Sequence, residues 1–145
     1  MTESLALHGR RQGMDEVRFA LEQVLGFFYE GRQPTPERIA CFGGGWAAEE
    51  ALAIGVWCGL FASSLEEGVV RAVNHAGDSD STGLIAGHLL GIQFGVAAIP
   101  ERWLQQLELR NVIERMAEDI ERVPRVFCGV HGEFDAQISA DYPGV

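Results

Sequence analysis

The chain has 145 residues, enough for one domain with a real hydrophobic core and too few for a two-domain enzyme. Its 47% hydrophobic and 22% charged residues are the proportions of an ordinary globular protein. The net charge is −10 and all eleven basic residues are arginine, which excludes a basic nucleic-acid surface, a Walker A loop and a Schiff-base lysine.

In chain order, residues 1–13 read as a flexible polar start without the apolar segment of a secretory leader. From Met14 to Glu30, Val17, Leu21, Val24, Leu25 and Phe28 follow helical spacing, and Gly31 is a suitable stop. Pro34 and Pro36 break the chain, and Pro36 opens a short helical turn to Cys41. Gly43-Gly44-Gly45-Trp46 follows, three glycines that let a ligand approach the main chain and an aromatic that starts the next helix. That helix, Trp46 to Ala62, is apolar on nearly every side and belongs in the middle of the fold; its apolar run of about twelve residues is too short to cross a membrane.

Ser64-x-x-Glu67 has the form of a capping box, and the helix it opens is expected to turn Leu65, Val69, Val70 and Val73 inward. Gly83, Gly87, Gly91 and Gly95 recur every four residues along the following helix. Since each costs about 1 kcal/mol relative to alanine, the row predicts a second backbone packed closely against it. Leu84, Ile85, Leu89, Ile92 and Phe94 on the other sides make that helix central as well. Pro100-Glu101 starts a last helix, with Trp103, Leu107, Ile113, Met116 and Ile120 toward the core and a bend near Arg110. Pro124 ends it, and residues 125–145 read as a loose tail. No stretch alternates with period two. The expected fold is therefore all-α, a compact bundle of about five or six helices over residues 14–124. Cys41, Cys58 and Cys128 are widely spaced without a C-x-x-C, and read as buried free thiols of a reducing, cytoplasmic protein.

The stretch with most chemistry is Gly77-Asp78-Ser79-Asp80-Ser81-Thr82-Gly83, at the junction of two helices. Its carboxylates and hydroxyls are the oxygen ligands of hard cations such as Mg²⁺, and the helix start beside them suits an anion. Asp-x-Asp-Ser is also a good helix cap, which is the plainer reading. An EF-hand loop is excluded, because its twelfth position would be Leu89 in place of a bidentate acid. The Asp-x-Asp-x-Thr pattern of haloacid-dehalogenase-like phosphatases requires a buried strand before the first Asp, where this sequence reads as a helix, and usually a lysine, which it lacks.

Three blocks in order, Gly43-Gly44-Gly45-Trp46-Ala47-Ala48-Glu49-Glu50-Ala51-Leu52-Ala53-Ile54, then residues 72–83 from Ala72-Val73-Asn74-His75 through the acidic stretch, then Ala98-Ile99-Pro100-Glu101-Arg102-Trp103, resemble the C-terminal portion of the ADP-ribosylglycohydrolase family, the group of dinitrogenase-reductase-activating glycohydrolase. The resemblance runs over residues 15–122. It implies a partial version of an all-α fold that binds two Mg²⁺ or Mn²⁺ ions and cleaves the glycosidic bond between ADP-ribose and a protein or related acceptor. Carried over by motif, Asp78, Asp80 and Ser81 would be metal ligands, and Gly45 and Trp46 would line the ADP-ribose cleft. Glu49 and Glu50 match the pattern without an assigned role, and His75 is open between a site residue and a structural one. The family's catalytic acid and its Thr-Asp-Asp metal motif belong to an N-terminal part for which this sequence has no counterpart, so no catalytic residue is assigned. The expected partners are ADP-ribose or an ADP-ribosylated protein, with self-association or a complementary chain to complete the site. A non-catalytic interaction module is the alternative, and the haloacid-dehalogenase-like phosphatase is kept as a lower one.

Overall fold

The computed structural model describes residues 15–122 and the isolated position 140. The expectations for residues 1–13, for the 125–145 tail and for Cys128 lie outside the described residues. Those residues are helical and contain no strand, as the missing period-two pattern predicts. They divide after Pro100 into two compact units.

In the first unit, α1 (Asp15–Tyr29) buries Ala20, Leu21 and Val24. It closes with Gly31 at φ +68°, the Gly31 N–H donating to Phe28 O and the Arg32 N–H to Phe27 O, the two bonds of a Schellman turn. A one-turn helix α2 (Pro36–Ile39), opened by proline, runs into a 3₁₀ turn, Ala40–Phe42. The glycine-rich loop leads to α3 (Ala48–Leu60), which is buried continuously from Ala53 to Gly59 and is the centre of the unit. Trp57 is fully buried there and packs on Phe27 and Phe42 with ring centroids 5.1 and 5.4 Å away; its indole N–H donates to Arg32 O at 3.1 Å. Such ring pairs add about 0.5–1.5 kcal/mol each beyond the area they bury.

Ser64 caps α4 (Leu65–Val73), its hydroxyl accepting from the Glu67 N–H at 3.1 Å. The reciprocal half of the box is displaced by one residue, since Glu67 accepts from the Ser63 N–H at 2.8 Å and the Ser63 hydroxyl at 2.5 Å. The inward face is Leu65, Gly68 and Ala72. Val70 points to solvent, contrary to the sequence expectation. Small residues win that face because α5 (Ser79–Phe94) lies across it: a Cβ on Gly68 would overlap the Leu90 side chain.

The glycine row of α5 is also placed differently from expectation. A Cβ at Gly83 would come within 2.6 Å of Val73, but nothing lies within 4 Å of Gly87 or Gly91, and Gly95 is the C-cap at φ +77°. The buried row of α5 is Thr82, Ala86 and Leu90, one helical turn apart. The glycine that admits close helix packing is Gly55 on α3, where a Cβ would sit 3.2 Å from the Ala86 nitrogen. Leu84 is 61% and Ile92 86% exposed, so α5 is packed on the α3–α4 side and apolar on an open one.

In the second unit the expected single bent helix is two: α6 (Glu101–Leu104) and α7 (Arg110–Arg122), separated by Leu109 at φ +56°. Arg110 bridges them, its guanidinium 2.7 Å from Glu114 and 3.4 Å from Glu101. Leu107, Ile113, Met116 and Ile120 are exposed, not core-facing as their spacing suggested. Periodicity gives the amphipathic stripe but not what covers it.

Candidate functional site

The acidic stretch sits where α4 ends and α5 begins. Asn74 caps α4 and closes its last turn by donating from its side-chain amide to Val70 O at 2.6 Å. Asp78 is the N-cap of α5, its carboxylate accepting from the Ser81 N–H at 3.5 Å, so the capping reading of this residue holds. The carboxylate nevertheless does more than cap. It lies in hydrogen-bonding reach of the Asp80 carboxyl and of the Ser81 hydroxyl, and these contacts, the Asp80 one first, hold it below the usual carboxylate range. The structure thus brings together the three sequence-proposed ligands.

The donor set, two carboxylates and a hydroxyl, fits a hard divalent cation by its chemistry. It is not a complete shell. Among the described residues no group of three or more His, Cys, Asp or Glu side chains is arranged to hold a metal ion. Ser79 is turned away, donating to Val73 O at 2.9 Å, and ties the start of α5 to the end of α4.

His75 is structural. The Gly77 N–H donates to its Nδ1 at 3.1 Å, which leaves the ring proton on Nε2. Nε2–H then donates to the Thr82 hydroxyl at 3.0 Å, and that hydroxyl donates to Ala72 O at 2.7 Å. Thr82 is fully buried, so this relay locks the inner face of the acidic loop onto both helices.

The glycine-rich loop crosses the acidic loop. Gly44 O accepts from the Asp78 N–H at 2.7 Å, and Gly77 approaches that carbonyl so closely that any Cβ would overlap it. Gly45, at φ +78°, is buried against Thr82 and Asp78. Trp46 precedes α3, where the sequence reading put it inside the helix, and is 77% exposed, its indole laid over Gly44 where a side chain would reach to within 2.6 Å of the ring. Of the two proposed cleft residues, Gly45 therefore adjoins the acidic loop, and Trp46 follows it in the chain with its ring over Gly44. Glu50, left without a role by the sequence, accepts from the Gly45 and Trp46 N–H groups at 3.0 and 3.2 Å. An acid in the first turn of a helix, just after a glycine loop, was the signal that could have found it.

A separate cavity of about 400 Å³ is lined by Phe27, Arg32, Glu37, Arg38, Cys41 and Trp57, with none of the acidic-loop residues in its wall. Cys41 is exposed, against expectation, because it follows a one-turn helix at the surface; Cys58 is buried, and burial pushes its thiol up to about 12. The first Asp of the acidic motif follows a helix, so the phosphatase reading lacks the strand its nucleophile needs.

The ADP-ribosylglycohydrolase profile matches residues 2–128 of the chain. ADP-ribosylhydrolase ARH3 of Bos taurus is 26% identical over 130 residues, covering 81% of this chain and 36% of its own length. ADP-ribosylarginine hydrolase Tri1 of Pseudomonas putida is 27% identical over 78 residues, 53% of this chain and 21% of its own. The ADP-ribosyl-[dinitrogen reductase] glycohydrolase of Rhodospirillum rubrum is 43% identical over a 42-residue segment, 29% of this chain and 14% of its own. The chain thus spans about a third or less of these relatives. No solved structure matches it.

Proposed function

We propose, from the premise that this chain belongs to the ADP-ribosylglycohydrolase family, that it provides the C-terminal metal-binding part of a Mg²⁺- or Mn²⁺-dependent ADP-ribosyl hydrolase site. The observation that carries the reading is that the Asp78 carboxylate lies in hydrogen-bonding reach of the Asp80 and Ser81 side chains at the start of α5, beside Gly45. The cations, when bound, would polarise ribose hydroxyls next to the glycosidic bond that water cleaves.

The chain's own residues do the rest of the work that it can do. Asp78 and Asp80 supply negative charge on a rigid base, because Asp78 is pinned by Gly44 O and Thr82 by His75. Gly45 has no side chain to occupy the ground in front of Thr82, and Trp46 presents an exposed ring for a sugar or base. The relatives' names give ADP-ribosylated proteins as the substrate class, and that class is the one proposed here. A carboxylate acid and the remaining ligands, against roughly six per Mg²⁺, must come from other protein or from water. The chain by itself is therefore expected to bind metal weakly and to turn over little.

Calorimetric titration of the 145-residue chain with ADP-ribose in the presence of Mg²⁺ or Mn²⁺ tests this reading. Metal-dependent binding that is lost in the Asp78→Ala/Asp80→Ala double variant supports it. Robust hydrolysis of an ADP-ribosylated protein that survives the same double change contradicts it.

The open apolar side of α5, with Leu84 and Ile92 exposed, favours a second reading, a non-catalytic module that keeps the fold and associates through that side. A stable dimer in sedimentation, with no heat on adding either metal or ADP-ribose, is its signature.

A further inference from the structure

We infer that Glu50 is a positioning residue for the acidic loop, acting through the glycine-rich loop and not by touching a ligand. Its Oε2 takes the Gly45 and Trp46 N–H groups at 3.0 and 3.2 Å. The same carboxyl lies against Gly43, whose φ of +98° and missing side chain let it do so; a Cβ there would overlap it. From the loop held in this way, Gly44 O accepts the Asp78 N–H at 2.7 Å, and Gly77 packs on the same carbonyl. The sequence of contacts runs from Glu50 to the Gly45 and Trp46 amides, to the Gly44 carbonyl, to Asp78. Its anchored end is firm, since Glu50 stands in the first turn of α3 and the helix beyond it is buried from Ala53 to Gly59. A carboxylate suits that place, for it meets unpaired amides and the positive end of a helix together.

Two consequences follow from the geometry. The Gly45 and Trp46 amides are already committed to Glu50, so in this arrangement the loop meets a ligand with the Trp46 ring and with bare Cα atoms. Removing the carboxylate should loosen Asp78, a residue Glu50 does not touch. The functional part of this inference rests on the hydrolase reading, but the coupling itself does not.

The test is amide hydrogen exchange followed by NMR on the full metal-free chain, in wild type, Glu50→Ala and Glu50→Gln. In Glu50→Ala the amides of Gly45, Trp46 and, decisively, Asp78 should exchange at least about tenfold faster, while Leu90 in α5 keeps its protection. Glutamine retains an acceptor oxygen, so Glu50→Gln should stay within about threefold of wild type at all of them. Mn²⁺ affinity of the same samples should fall about tenfold in Glu50→Ala and little in Glu50→Gln. An unchanged Asp78 amide in Glu50→Ala, or a Glu50→Gln variant as loose as Glu50→Ala, overturns the inference. Should Leu90 protection also vanish in Glu50→Ala, the one-methylene-shorter Glu50→Asp is read by the same criterion. If wild type takes up no Mn²⁺, the ligand reading of the acidic loop fails, and the Asp78 amide still decides the positioning.

Discussion

Thr82 shows how much one side chain can join. Its buried hydroxyl receives the His75 Nε2–H and donates to Ala72 O, linking the end of α4, the acidic loop and the first turn of α5. Thr82→Val keeps the shape and removes both bonds, leaving a carbonyl and an imidazole N–H short of partners. Loss of about 1–3 kcal/mol in urea denaturation is expected, and a change under about 0.5 would mean the relay is not formed. The same relay fixes His75 as the Nε2–H tautomer, which ¹⁵N chemical shifts of the ring read directly. Sequence alone left His75 undecided for a physical reason. A histidine two residues before a glycine offers no clue to where that glycine's N–H points, and the tautomer depends on that direction.

At the scale of elements, glycine has two meanings that sequence spacing cannot separate. Gly77 is required, because any side chain would meet the Gly44 carbonyl, whereas Gly87 and Gly91 face open space. Gly77→Ala should therefore cost about 3 kcal/mol or more and loosen the acidic loop. Gly87→Ala should stabilise the isolated chain by about 0.5–1 kcal/mol through helix propensity. A Gly87→Ala variant that lowers the midpoint would show that a partner backbone covers that row in solution.

The α4 cap was legible, since Ser64-x-x-Glu67 is a local pattern with a local cause. The inward face of α4 was not, because Gly68 and Ala72 carry little hydrophobicity and are buried only through their fit to α5. Hydrogen bonds from the Ser63 side chain first, and then its backbone, hold the Glu67 carboxyl below its usual range. A depressed folded-state pKa means that the stabilisation is present above the unfolded value and is lost as pH falls through the folded one. Acid titration of stability should thus show a drop below about pH 4.5 that Glu67→Gln flattens. An unchanged profile in that variant would remove Glu67 from the account.

For the molecule as a whole, the all-α class and the place of α3 at the centre were readable from the absence of alternation and from an apolar run longer than a strand. What could not be read was which apolar stripes stay open. Leu84 and Ile92 on α5, and Ile113, Met116 and Ile120 on α7, follow the same spacing as core residues and are exposed. The two described cysteines report on the integrity of the first unit. Cys41 is exposed, while Cys58 is enclosed with its thiol pushed up to about 12, so a thiol reagent at neutral pH should modify Cys41 first. Cys58 should react only at the rate of unfolding; labelling of Cys58 as fast as Cys41 in native buffer would mean that the α3 core opens locally.

The central claim is that side-chain oxygens at the start of α5 share a divalent cation, and manganese titration followed by electron paramagnetic resonance measures that sharing directly. The free-ion signal should be diminished by the wild-type chain at dissociation constants on the order of 10⁻⁴–10⁻³ M, a range suited to a partial oxygen shell. Asp78→Asn/Asp80→Asn, which keeps a capping side chain at Asp78, should restore that signal without changing the thermal midpoint by more than a few degrees. Undiminished Mn²⁺ uptake by the folded double variant, or none by the wild type, would contradict the account.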